Sequence, residues 1–183
     1  MKRALHNLRC GSPARDPTDL RLLENPLDFI KEGHMRMRAM CEVVEMVAAS
    51  EMPDPVVVSD LLRFLDREVG LLIQDEDDDL RELLAARCEP EDDIETTLRR
   101  VEAEHRVLKK MIPALLATLR AMHEERRRAT PGEAELQRVF ASLLRRHLIV
   151  ENAIVLPMAR ARLTENDLAV LRSNMIRRRE EDL

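Results

Sequence analysis

The chain has 183 residues, 45% hydrophobic and 36% charged, with four Gly, three Phe and neither Tyr nor Trp. That composition excludes a β-sandwich, a barrel or a doubly wound sheet, which need aromatic and β-branched strands or Gly-rich turns, and it favours long helices. A net charge of −5 excludes a dedicated nucleic-acid binder with a basic face, and no apolar run reaches the ~20 residues of a membrane span.

Residues 1–24 hold Gly11, Pro13 and Pro17 without a sustained period and read as a loose arm. The start is basic but lacks the apolar stretch of a signal peptide, and Arg9 before Cys10 does not suit a lipoprotein cleavage site. Cys10, Cys41 and Cys88 are odd in number with no C-x-x-C, so neither a disulfide framework nor a zinc knuckle is expected, and the expected setting is a reducing cytosol.

Asn25-Pro26, with Asp28 in the first turn, predicts a helix over 26–49; Asp54-Pro55 repeats the arrangement and predicts one over 55–87. Pro90 followed by Glu91, Asp92 and Asp93 predicts a third over 91–122, its carboxylates at the positive end of the helix dipole. Thr130-Pro131-Gly132-Glu133 is a capping box before a fourth, over 132–161, and Thr164 opens a shorter fifth over 165–179. Apolar residues recur at steps of three and four along the four long segments, the narrow stripe of a helix in a bundle. Short connections give an all-α, up-down-up-down four-helix bundle over 25–162, followed by a C-terminal helix and tail over 163–183. The charged blocks, an acidic stretch around Asp75–Glu95 and the basic Arg126–Arg128, read as solvated faces and loops.

Five residues interrupt the apolar stripes: His34, Glu76, His105, His147 and Glu151. A single His in such a stripe is ordinarily a core histidine with a partner, but buried carboxylates without partners are costly and three His with two Glu need an explanation. Counting residues from each connection puts all five at one depth of an antiparallel bundle. The chain also repeats internally. Helix four carries His147-x-x-x-Glu151, an i,i+4 pair on one face, and helix two carries Leu72-x-x-x-Glu76 at the matching place. His34 precedes Glu76 by 42 residues, and His105 precedes His147 by 42. Each hairpin therefore offers one His from its first helix and an H/L-x-x-x-E pair from its second. Imidazole with carboxylate and no thiolate suits iron or manganese better than structural zinc.

These stretches, Asn25-Pro26-Leu27-Asp28 through His34 to Cys41, Asp75-Glu76 with Leu80, Glu104-His105, and Arg145-Arg146-His147 through Glu151 to Leu156-Pro157, resemble the hemerythrin-like (HHE cation-binding) family in a bacterial-type version. The resemblance implies a four-helix bundle holding non-haem di-iron, with Glu76 and Glu151 as bridges and His34, His105 and His147 as terminal ligands. Where the family usually has a His on the second helix, this chain has Leu72. That leaves three outcomes: a weakened di-iron site, a single-iron site (manganese or zinc being the other candidate ions), or a bundle that has lost metal. Glu68 and Asp75, on either side of Leu72, are the candidate substitutes, with exposure to water as their simpler reading. Arg38, one turn beyond His34, is a candidate anion contact or a surface ion pair; Cys41 reads as core packing, and His6 and His123 receive no role.

Three functions compete. The leading one is a binding protein rather than an enzyme, using iron to bind, sense or scavenge oxygen or nitric oxide. The second is a di-iron enzyme consuming peroxide or oxygen. The third, supported by Leu72 and by a fifth helix with no visible partner, is a metal-free interaction or regulatory module.

Overall fold

The computed structural model describes residues 18–181, and among them all regular structure is helical. Helix α1, Pro26–Ala49, starts where the Asn25 side chain accepts the N–H of Leu27 at 3.2 Å and Pro26 fills a position that needs no N–H. Helix α2 covers residues 55–87 behind the Asp54 cap, and α3 is Glu95–Glu125. Helix α4 covers residues 131–162, opened by the reciprocal capping of Thr130 and Glu133, and α5 is Glu165–Glu181.

Around the bundle α1 packs on α2 and α4, and α3 packs on α2 and α4, so every neighbouring pair is antiparallel and the order is up-down-up-down. The core runs the length of the four helices, from Ile30, Leu61 and Leu84 to Leu115, Leu119 and Ala141. Helix α5 lies across α1 and the middle of α2, burying Leu171 and Met175. No helix among the described residues is long and apolar enough to cross a membrane.

Three features differ from the sequence reading. The third helix begins at Glu95, not 91, because Pro90–Asp92 forms its own 3-10 turn. Glu89 and Asp92 cap each other there, and Asp93 turns left-handed at φ 47°. The helix then runs to Glu125 and stops at Arg126, φ 52°, where the Arg127 N–H reaches the Met122 carbonyl at 3.2 Å. Secondly, the end of the 1–24 arm is not loose. Leu20–Glu24 is a 3-10 turn that buries Leu23, and the Thr18 hydroxyl donates to Glu68 at 2.9 Å. Residues 1–17, with His6 and Cys10, lie outside the described residues.

Thirdly, part of the acidic stretch is interior. Asp75 is fully buried and Asp79 nearly so, both paired with Arg178 of α5, while Arg179 adds a 2.6 Å contact to Asp75. Asn174 donates to Asp79 at 2.6 Å, and Arg87 of α2 grips Asp167 of α5 at 2.8 and 2.9 Å. The partner of the fifth helix is the bundle itself.

Candidate metal centre

Each of the four long helices delivers a polar side chain to one level of the core: His34 from α1, Glu76 from α2, His105 from α3, and His147 with Glu151 from α4. None is more than 4% exposed. One donor atom each from Glu76, His105, His147 and Glu151 lies within 4.8 Å of all the others. His34 adjoins them, its Nε2 2.5 Å from Glu76 Oε1 and 3.2 Å from Glu151 Oε2. The predicted five are thus brought together.

The two glutamates share a backbone feature that the apolar stripes gave no sign of. Each opens a π-helical turn, Glu76–Leu80 in α2 and Glu151–Val155 in α4, in which its carbonyl accepts from the residue five ahead. Such turns inside α-helices concentrate at functional sites. The residue after each glutamate holds a histidine of the opposite hairpin. Asp77 Oδ1 lies 2.7 Å from His105 Nδ1, and Asn152 Oδ1 lies 3.3 Å from His34 Nδ1. Glu104, one residue before His105, takes Nδ1 of His147 at 3.0 Å. None of these three supporting residues was given a role from sequence; their one available signal was adjacency to a ligand candidate. Asp77 and Glu104 are themselves fixed by cations, Lys109 Nζ at 2.7 Å and Arg100 Nε at 2.9 Å.

With Nδ1–H donated outward, each imidazole turns its Nε2 inward, the arrangement of metal-ligating histidines. His105 Nε2 and His147 Nε2 stand 2.8 Å apart, a distance two lone pairs tolerate only with a proton or a cation to share. Glu76 Oε2 and Glu151 Oε2 are buried without a well-aligned hydrogen bond, although Glu151 Oε2 lies 3.1 Å from His147 Nε2 and 3.2 Å from His34 Nε2. Buried carboxylates facing inward-turned imidazoles are a donor set that fits a divalent cation.

The electrostatics agree. Burial opposes charge on His34, yet Glu76 and Glu151 outweigh it and lift its pKa to about 9. His105, also opposed by burial, is lifted to about 10 by its bonds to Asp77 and Glu151, and His147 is raised as well by Glu151. Burial and the Glu151 charge push Glu76 up, whereas the histidines, His34 foremost, hold Glu151 well below the usual carboxylate range in spite of burial. The pocket strongly favours positive charge at its centre.

Leu72, four residues before Glu76, is buried against Gly33 of α1. Neither candidate substitute serves the centre: Glu68 accepts from Arg36 at 2.9 Å and from Thr18, and Asp75 faces α5. Asp75 also overturns its simpler reading, since it is buried rather than solvated. Arg38 is exposed, and Cys41 is a buried free thiol whose pKa burial pushes up to about 12.

Residues 25–159 match the family model described as the hemerythrin HHE cation binding domain. No curated protein matches the chain.

Proposed function

The chain belongs to the hemerythrin HHE cation-binding family, and on that premise we propose that its buried centre binds non-haem iron, with which the protein binds, senses or scavenges oxygen or nitric oxide. The ligands would be His34, Glu76, His105, His147 and Glu151. One observation carries the reading: three imidazoles have Nδ1 tied to Asp77, Glu104 and Asn152 and Nε2 turned toward the buried carboxylates of Glu76 and Glu151. In a metal-free core that arrangement crowds five ionisable side chains together and needs protons on the imidazoles to hold it, which disfavours a bundle that merely packs.

Bound ferrous iron would supply open coordination positions for a diatomic ligand. The chain's own residues do the rest. Glu76 and Glu151 balance cationic charge where water cannot screen it. Asp77 and Glu104, each anchored by a surface cation, raise imidazole basicity and fix ring orientation. Ile30, Met37, Val101, Leu108 and Leu144, one turn away on the ligand faces, are buried and keep water from the centre. The free thiols Cys41 and Cys88 suit the reducing cytosol in which we place the protein.

Metal analysis of protein purified anaerobically, then ferrous loading with exposure to oxygen, nitric oxide and azide, tests the reading. Bound iron with ligand-dependent visible absorption, absent in His147→Ala, is expected. Protein that takes up no iron and shows no metal-dependent rise in melting temperature would overturn it. Peroxide turnover by the iron-loaded form, lost in His147→Ala, would move the assignment to an enzyme.

A further inference from the structure

The two hairpins build the centre by the same rules, so their differences can be read position by position. Hairpin α1–α2 gives His34 and Glu76; hairpin α3–α4 gives His105 and Glu151. Each glutamate opens a π-helical turn, and the residue after it supports the other hairpin's histidine. In the second hairpin the residue before His105, Glu104, supports the residue four before Glu151, His147. The equivalent positions in the first hairpin are Gly33, before His34, and Leu72, four before Glu76.

Gly33 and Leu72 are matched to each other as closely as Glu104 and His147 are. A Cβ built on Gly33 would stand 2.5 Å from Leu72 Cδ1 and 2.9 Å from Cδ2, so the leucine occupies the space that any side chain at 33 would need. Glycine is unfavourable inside a helix and is explained here by that packing. Where the second hairpin has the Glu104–His147 pair, the first has one apolar contact. The remaining histidine on that side is also held more weakly. His34 has a neutral amide at 3.3 Å, against cation-anchored carboxylates at 2.7 and 3.0 Å for His105 and His147. The donors that lie mutually within 4.8 Å are Glu76, His105, His147 and Glu151.

We infer that the centre is unequal by construction: one ion is held tightly at the His105–His147 side, and the position beside His34 has been converted into packed core by the Gly33–Leu72 contact. The inference rests on the metal-binding reading above and departs from a paired centre. The tight position has two supported imidazoles and an oxygen from each glutamate. The other is left with His34 and the remaining carboxylate oxygens.

The test is titration of the metal-free full chain with manganese(II), and anaerobically with iron(II), followed by equilibrium dialysis and, for manganese, by electron paramagnetic resonance. One tight equivalent with the spectrum of an isolated ion is expected, any second equivalent being at least about 10-fold weaker, as loss of a ligand and its outer support requires. The double variant Gly33→Glu, Leu72→His should take two tight equivalents with a magnetically coupled spectrum. The mirror variant Glu104→Gly, His147→Leu should lose the tight equivalent while still melting cooperatively by circular dichroism. If the first double variant does not fold, parent stoichiometry and the mirror variant decide. Two tight equivalents in the parent, or one that survives the mirror substitutions, would overturn the inference and leave metal binding intact. No equivalent of either metal would overturn both.

Discussion

Substituting Arg178→Met should unsettle the fold and the centre together, because α5 clasps the turn that carries Glu76. Arg178 Nε donates to Asp75 Oδ1 at 2.8 Å, and its Nη2 reaches Asp79. Those two aspartates lie at the π-helical turn Glu76–Leu80, one immediately before Glu76 and one inside the turn. Removing one member of a buried ion pair costs about 3–5 kcal/mol, since the other charge is left without compensation. Here the stranded carboxylates keep some support, Asp75 from Arg179 at 2.6 Å and Asp79 from Asn174 at 2.6 Å. The expected loss is therefore lower, about 2–3 kcal/mol, which for a chain of this size is a fall in Tm of about 4–12 °C.

The loss should also depend on pH. Burial already pushes the Asp75 carboxyl up against the pull of Arg179 and Arg178. Without Arg178 its folded-state pKa rises further, so the variant's deficit builds up as pH rises from the parent's value to the variant's, is full above both, and vanishes on acidification below both. The chain has no Trp or Tyr to report unfolding by fluorescence, so urea denaturation followed by circular dichroism is the assay. Metal affinity, measured by chelator competition, should fall about 10-fold as the turn loses its brace. Adding Asp79→Leu should recover part of the stability, because an apolar replacement for both partners is far less costly than a lone buried charge. A stability change below about 0.5 kcal/mol, the range of surface substitutions, would refute the reasoning and make α5 a peripheral appendage.

Other outcomes follow from the same geometry. In metal-free protein His34 and His105 titrate at about 9 and about 10, above the ordinary 6.5, so their contribution to stability is full below about pH 6.5 and is lost as pH rises through those values. Denaturant midpoints measured from pH 6 to 10 should fall accordingly, while the gain in Tm on adding metal should grow as protons cease to compete. Glu104→Gln should lower metal affinity about 10–100-fold with little change in metal-free stability, and His147 should then bind with altered pH dependence. Leu72→His alone should lower metal-free stability by about 1–3 kcal/mol through lost apolar burial and an unsatisfied imidazole. Its Tm should rise more than the parent's on adding ferrous iron, though less than when Gly33→Glu supplies the missing carboxylate; equal responses of parent and Leu72→His would mean that position 72 is not a vacated ligand position.

Helix starts were legible wherever one side chain settles the matter locally. Asn25, Asp54 and Thr130 cap backbone groups two or three residues ahead, and those helices begin within one residue of where the sequence placed them. Pro90 and its acids carry the same pattern, but there Glu89 and Asp92 satisfy each other and close a separate turn. Residue types cannot separate that from an α-helical start; the left-handed Asp93 decides it, and it is a backbone outcome. The five centre residues were legible because a polar group in an apolar stripe is anomalous on its own helix. Asp77 and Glu104 were not, since on their helices they look like ordinary surface acids and gain meaning only from a histidine on another element. Asp75 was read as solvated for the same reason: what covers it is α5, and the contact is made by arginines rather than by an apolar face. Gly33 is the extreme case. A helical glycine beside His34 carries no message along α1, yet it makes the room that the Leu72 side chain fills. Position 72 differs from its counterpart His147, and position 33 differs from its counterpart Glu104 as well. That double difference, and the fit of leucine into the space a side chain would need, make the asymmetry a property of two helices at once.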